Sequence, residues 1–263
     1  MDYYKVKKIC PWLHRIEDSL AGESAVYMYL VVGDSAALLF DTTYGIAPIM
    51  PVIRRITNLP VICVLGHGHI DHANGAYQFE YAYIHNDDME LAMRHTGKKA
   101  KSIVLEGMEK RGISLPSDFN RNAYITSGCC NLKALDIGHI FDLGGLVLEV
   151  VHMEGHTKGS IGLLVKNKGV LLNSDGANPF MWLFLNESLP IADYVAMLKR
   201  SKMLDFDVFY TAHDEEGLPK ELFCKFIKVA ENANAADSKP FDKIPGLSGL
   251  VYKEDSAAII FKP

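Results

Sequence analysis

The sequence predicts an α/β fold in which two β-sheets pack together with helices on the outside. Three observations lead there. Short apolar runs rich in β-branched residues alternate with stretches of helical spacing in both halves of the chain. No solenoid-length repeat and no low-complexity linker separates the halves, so a single domain over residues 1–263 is expected. A small set of acids and histidines recurs just after five of the predicted strands, where open α/β folds place functional groups.

The elements follow in order. "VYMYLVV" (26–32) and "AALLFD" (36–41) flank a Gly-Asp turn signal and read as a hairpin. "GIAPIMPVIRRIT" (45–57) carries Ile46, Ile49, Met50, Ile53 and Ile56 at helical spacing, with Pro48 suiting a first turn and Pro51 blurring the start. "PVICVL" (60–65) is a buried strand and "YAYI" (81–84) a short one. "NDDMELAMRHT" (86–96) opens a helix with carboxylates. Residues 95–130 are the least regular, with a helix expected around 102–110. Strands resume at 146–152, 161–165, 169–174 and 207–211. "IADYVAMLKR" (191–200) and "LPKELFCKFIKVAENA" (218–233) are amphipathic helices, and "SAAIIF" (256–261) is a closing strand.

Bulk properties narrow the function. Apolar residues make up 49% of the 263, enough for a full core. The net charge of −5, without a long basic run, argues against nucleic acid as the partner. The first 18 residues hold no apolar stretch of signal-peptide length, and no run approaches a membrane span, so a cytoplasmic protein is expected. The five cysteines are an odd number without framework spacing; reduced thiols are the default, with Cys129-Cys130 as a redox or metal-binding alternative.

The chemistry concentrates in "GHGHIDHANG" (66–75), which puts His67, His69, Asp71 and His72 into six positions directly after a strand. A lone histidine reads best as structural; a cluster at a strand end does not. Asp41, His156, Asp175 and His213 also follow predicted strands. Imidazole nitrogens and carboxylate oxygens suit zinc and other first-row divalent ions. In His-x-His both side chains leave one extended stretch and can approach one ion; the Asp-His pair after the turn can address a second. Two such ions roughly 3.5–4 Å apart make a hydroxide nucleophilic near neutral pH, and a carboxylate can bridge them.

These residues resemble the metallo-β-lactamase superfamily. Its H-x-H-x-D-H motif is met by His67, His69, Asp71 and His72, and its G-H-T-x-G-S motif by "GHTKGS" (155–160). Asp41, Asp175 and His213 meet its strand-end Asp, bridging Asp and last His. The resemblance implies a four-layer αβ/βα sandwich of two mixed sheets with the metals at one edge. It implies that His67, His69 and His156 hold one ion and Asp71, His72 and His213 the other. Asp175 would bridge them, and Asp41 would orient the histidine loop without binding metal. The departures are Gly66 for a common Thr, Glu154 for a common Pro and Asn74 for a common Gly; none removes a ligand.

Zinc is the favoured metal, with iron or manganese as alternatives. Asp175 and the leader-free start count against a secreted β-lactamase, and the lack of a basic surface or added domain against RNA cleavage. A flavin-linked diiron member would carry a Glu in the histidine motif and a flavin domain. The resemblance then points to the glyoxalase II and acyl-homoserine lactonase side: a binuclear hydrolase acting on a small-molecule thioester or lactone. A metal-bridging hydroxide would attack the carbonyl, with Asp71 relaying the proton and Asp175 holding the bridge. A one-iron persulfide dioxygenase, a phosphodiesterase or β-lactamase of the same fold, and a non-catalytic metal-binding regulator stay open, as does a homodimer. The complete second set, Asp71, His72 and His213, favours hydrolysis. Phe180, Trp182 and Phe184 are candidates for an apolar substrate wall, against ordinary core or a dimer contact; Tyr44 is a weaker candidate to face the site. His14, His85, His95, His139 and His152 read as surface or structural, His152 least securely.

Overall fold

The computed structural model describes residues 3–21, 25–244 and 246–262, and the chain divides into two units, Met1–Leu148 and Glu149–Pro263. In the first, β1 (Tyr4–Cys10), β2 (Leu13–Asp18), β3 (Tyr27–Val32) and β4 (Ala37–Phe40) form an antiparallel run. The predicted hairpin is β3–β4, with Tyr29 opposite Phe40. A five-residue helix, α1 (Met50–Arg54), leads to β5 (Val61–Val64), which pairs parallel to β4. Then come α2 (Ile70–Ala73), β6 (Tyr81–His85), α3 (Met89–His95), α4 (Lys98–Lys110), α5 (Arg121–Thr126), β7 (Asn131–Leu135) and β8 (Ile140–Asp142). The seven-stranded sheet runs β1 to β7 in chain order. It is antiparallel at its start and parallel from β4 onward, and parallel pairing requires crossovers.

The second unit takes up β9 (Val147–His152), β10 (Ile161–Val165), β11 (Val170–Ser174) and β12 (Phe180–Leu183). Helix α6 (Ile191–Ser201), β13 (Val208–Thr211), β14 (Leu218–Pro219) and α7 (Leu222–Asn232) follow, then β15 (Lys239–Ile244), β16 (Leu247–Glu254) and β17 (Ala257–Phe261). Hydrogen-bonded neighbours run β14-β13-β11-β10-β9. β12 instead joins the last three strands in a separate four-stranded sheet, order β12-β17-β16-β15, parallel to β17.

Each unit buries a core of its own, and β4, β10, β11 and β17 are buried along their whole length. In the first, Ile16, Met28, Leu30 and Leu39 pack with Ile49, Val52 and Ile53 and with Val104, Leu105 and Met108 of α4. In the second, Tyr194, Val195 and Leu198 of α6 and Phe223, Phe226 and Val229 of α7 pack on Val151, Leu164 and Leu171. Fully burying one such side chain contributes about 1.5–3 kcal/mol. The predicted α/β class with mixed sheets stands, with the strands in three sheets.

Three details differ from expectation. The helix read over 45–57 is confined to Met50–Arg54; Pro48 and Pro51 lack the N–H a longer helix needs, so Ile46 and Ile49 are buried from irregular backbone. The helix placed at 102–110 begins at Lys98, and α5 lies in the stretch read as loop. The closing strand belongs to the third, smaller sheet. Among the described residues no helix is long and apolar enough to cross a membrane, and all five cysteines are unpaired thiols.

Candidate metal centre

In the first unit the strand ends build a donor set around the histidine loop. Backbone leaving β4 turns at Asp41 with φ 67°, in the left-handed region that non-glycine residues seldom enter. That turn aims the buried Asp41 carboxylate at the loop after β5. Its Oδ1 accepts the Gly66 N–H at 2.7 Å and its Oδ2 accepts from His72 Nδ1 at 3.1 Å. Thr42 Oγ1 also donates to the His72 carbonyl at 2.7 Å. With Nδ1–H donated to a carboxylate, a neutral His72 ring carries its lone pair on Nε2, the arrangement metal-bound histidines use. Gly66 thus leaves the loop anchored through its backbone.

The histidines converge. His67 Nε2 lies 3.0 Å from His69 Nδ1, and the His67 and His72 ring centroids are 4.0 Å apart. Asp71 Oδ2 is 3.7 Å from His72 Nε2. His67 and His72 are 0% exposed and His69 is 7% exposed. Burying three imidazoles at such spacing beside a carboxylate is unfavourable unless a shared partner compensates. The nitrogen and oxygen donors fit a divalent cation.

Two supports of this loop were not read as site residues from the sequence. Gly68, the x of His-x-His, donates its N–H to Asp88 Oδ2 at 2.8 Å; Asp88 is buried and had been read only as a helix-start carboxylate. His95, at the end of α3 and read as surface or structural, stacks on His69 with centroids 5.2 Å apart and planes 22° apart. Asn74, at the common Gly position, donates to the Tyr124 hydroxyl at 2.7 Å, and that hydroxyl donates to the Tyr44 carbonyl at 2.9 Å. Burial first, and the Asp71 charge second, raise the Tyr44 phenol pKa, so Tyr44 stays protonated close to Asp71.

Gly68 itself tolerates no side chain. A Cβ there would stand 2.7 Å from the Ala92 nitrogen and 2.9 Å from the Asp88 carbonyl oxygen, both backbone atoms of the α3 segment. Gly68→Ala is expected to cost about 1–3 kcal/mol of stability, the range for overpacking, and to weaken metal retention by displacing the two flanking histidines. Urea unfolding with metal analysis checks both; a stability unchanged within error would contradict the close approach.

The second unit offers its own set. The "GHTKGS" loop is closed by Thr157 Oγ1 and Ser160 Oγ at 2.7 Å and by the Met153 N–H to the Ser160 carbonyl at 2.9 Å. Gly155, with φ +146°, runs against α6, where a Cβ would meet Tyr194 Cδ2 at 2.6 Å. His156 Nδ1 donates to the Trp182 carbonyl at 2.9 Å, which leaves Nε2 as the lone-pair nitrogen. Ser188 Oγ holds the His156 carbonyl at 2.8 Å. Asp175 follows Ser174, whose φ of 47° ends β11. Its Oδ2 lies 3.6 Å from His156 Nε2 and 3.4 Å from His213 Nε2. His213 sits on a turn in which its own N–H and that of Asp214 donate to Thr211 Oγ1.

The other candidates separate cleanly. Phe184 is core, packed with Phe241 and Ile260; Trp182 is half-buried against them, and Phe180 is 41% exposed. His152 is held by the Lys158 carbonyl at 3.1 Å and by Glu154 at 3.2 Å. Glu154, at the common Pro position, also pairs with Arg200 of α6 at 2.6 Å.

A family model described as the metallo-beta-lactamase superfamily matches residues 21–213. The chain is 28% identical over 189 residues to the acyl-coenzyme A thioesterase MBLAC2 of Homo sapiens, a match covering 66% of each chain. It is 27% identical over 144 residues to the Bos taurus protein of that name, spanning 54% of this chain and only half of that relative. It is 26% identical over 183 residues to the hydroxyacylglutathione hydrolase GloC of Haemophilus influenzae, covering 65% of this chain and 79% of that one. A metallo-beta-lactamase structure from Pontibacter korlensis superposes with a TM-score of 0.56 over 88% of this chain and all of its own, at 17% identity, a likeness of fold. With the family model spanning well over half of its residues, the chain belongs to the metallo-beta-lactamase superfamily.

Proposed function

We propose that the chain is a binuclear metal-dependent hydrolase of small-molecule thioesters. The observation that carries this reading is Asp175. One carboxylate oxygen lies 3.6 Å from His156 Nε2 and 3.4 Å from His213 Nε2, two imidazoles that belong to different ions in the proposed assignment. A bridging carboxylate needs that placement. His67, His69 and His156 would hold one ion, Asp71, His72 and His213 the other, and zinc suits the nitrogen-rich donors. When bound, such a pair of ions supplies a nucleophilic hydroxide at neutral pH and a Lewis acid for the carbonyl oxygen.

The chain's own residues do the rest. Asp41 keeps the His72 proton on Nδ1, and the Trp182 carbonyl does the same for His156. Asp71, only partly buried, takes the proton released on attack and passes it to solvent. Tyr44, kept protonated, is a hydroxyl donor beside Asp71. No serine or cysteine nucleophile is needed.

The substrate class rests on the relatives. Their names specify an acyl-coenzyme A and a hydroxyacylglutathione, and both carriers are thiols. A thiolate is a better leaving group than an alkoxide, so thioesters should exceed lactones. Metal analysis of the purified protein should approach two ions per chain. Turnover on a panel of acyl thioesters, lactones, β-lactams and phosphodiesters should be highest on the thioesters and disappear on chelation. One iron per chain with oxygen consumption on persulfides would replace this reading with a dioxygenase.

A further inference from the structure

A group of sulfur atoms lies beside α3 in the first unit, in a cavity whose lining includes none of the histidine donors. The cavity, of about 450 Å³, is lined by Met89, Met93, Cys129, Cys130, Asn131 and Leu132. Four of these six residues carry sulfur, and none offers an imidazole or a carboxylate. Met89 and Met93 are four positions apart on α3, so both side chains leave the same helix face. Cys129 and Cys130 immediately precede β7 and are half-buried. Met93 is 57% exposed and keeps the cavity open to solvent.

The thiols here differ from ordinary cysteines. A hydrogen bond from Cys130 holds the Cys129 thiol down to about 6, against the opposing effect of burial, with Thr96 and the Lys101 ammonium adding to it. Cys130 is pushed up in return. Lys101 is fully buried, donates to the Gly128 carbonyl at 2.9 Å and to Ser127 Oγ, and lies over the Tyr77 ring at 4.3 Å. The Lys101 ammonium thus sets one anchored positive charge near the cysteine pair.

We propose that Met89, Met93, Cys129 and Cys130 form a second cation site, for a soft thiophilic ion of the Cu(I) class. Thiolate and thioether donors select Cu(I), whereas carboxylate and carbonyl oxygens suit hard divalent ions. Charge favours the same class. Binding releases the thiol protons to solvent, and two thiolates with one monovalent cation leave a single negative charge, which Lys101 offsets. Nothing is oxidised or reduced. The ion enters as Cu(I) and stays Cu(I).

The test is an anaerobic titration of the reduced, full-length protein with Cu(I) in competition with bicinchoninate. One equivalent should bind, with a sulfur-only shell in X-ray absorption. Cys129→Ser and Cys130→Ser should each weaken binding at least about tenfold, the minimum expected when a group supporting a metal is removed. Met93→Leu should weaken it too, and as an exposed position it keeps the test decisive if a cysteine variant fails to fold. Cys224→Ser, exposed and outside the cavity, and His69→Ala should both retain the equivalent. Retention in the double cysteine variant, nitrogen scattering in the shell, indifference to Met93→Leu, or displacement of Cu(I) by zinc would each overturn the site.

Discussion

Asp175→Ala is expected to release at least one of the two proposed ions and to abolish hydrolysis of every substrate in the panel. The wild-type carboxylate is 7% exposed and has His156 Nε2 and His213 Nε2 within 3.6 Å of one oxygen. Removing it leaves two buried or half-buried imidazoles facing a hole. It also removes the only negative charge proposed between two dications. Of the two proposed ions, the one assigned to Asp71, His72 and His213 would have fewer histidine ligands and should leave first. Metal catalysis of this kind is worth several kcal/mol of transition-state stabilisation, so the rate should fall by about three orders of magnitude or more. Asp175→Glu should be nearly as damaging, because the longer arm cannot place its oxygen at the same distance from both rings. Elemental analysis, turnover and a thermal scan on each variant separate loss of metal from loss of fold. Full metal content with undiminished turnover in the alanine variant would sink the bridging role and the preference for two-metal hydrolysis.

The candidate donors were legible because each follows a strand whose apolar pattern is plain. "PVICVL" is short, β-branched and bounded by a proline, and β5 occupies Val61–Val64 with the histidines directly beyond it. The strands before Asp41, Asp175 and His213 are short and mostly apolar as well. Elements at sheet ends were harder. β1, β7 and β15 stand at the ends of their sheets, and β1 reads Tyr-Lys-Val-Lys-Lys-Ile-Cys with most side chains exposed. An edge strand buries little, so its sequence alternates weakly. Asp88 and His95 were illegible as site residues for another reason. Each reaches the loop only because α3 approaches Gly68 closely, a tertiary fact that spacing along the chain does not encode. The run "FMWLFL" shows the converse: continuous apolarity could not separate the core residue Phe184 from the exposed Phe180.

Asp41→Asn isolates the support of the site from its ligands. The carboxylate makes two different bonds, accepting the Gly66 N–H on Oδ1 and the His72 Nδ1–H on Oδ2. An asparagine can reproduce the first, since its carbonyl oxygen still accepts from Gly66. It cannot reproduce the second, because its NH₂ then points at Nδ1, donor against donor. The conflict is relieved if the His72 proton moves to Nε2, which shifts the lone pair to the nitrogen facing away from Asp71. A histidine in the wrong tautomer is a poor ligand even in the right position. Metal affinity or turnover should therefore drop roughly 10–100-fold. The unfolding free energy of the metal-free protein should change far less, because the Gly66 anchor survives. Asp41→Ala removes both bonds and should add about 1–3 kcal/mol of destabilisation for the orphaned Gly66 N–H. Unchanged metal affinity in the asparagine variant would refute the tautomer argument. A metal-bound structure with an Asp41 oxygen within roughly 2.2 Å of an ion would make Asp41 a ligand and redraw the site.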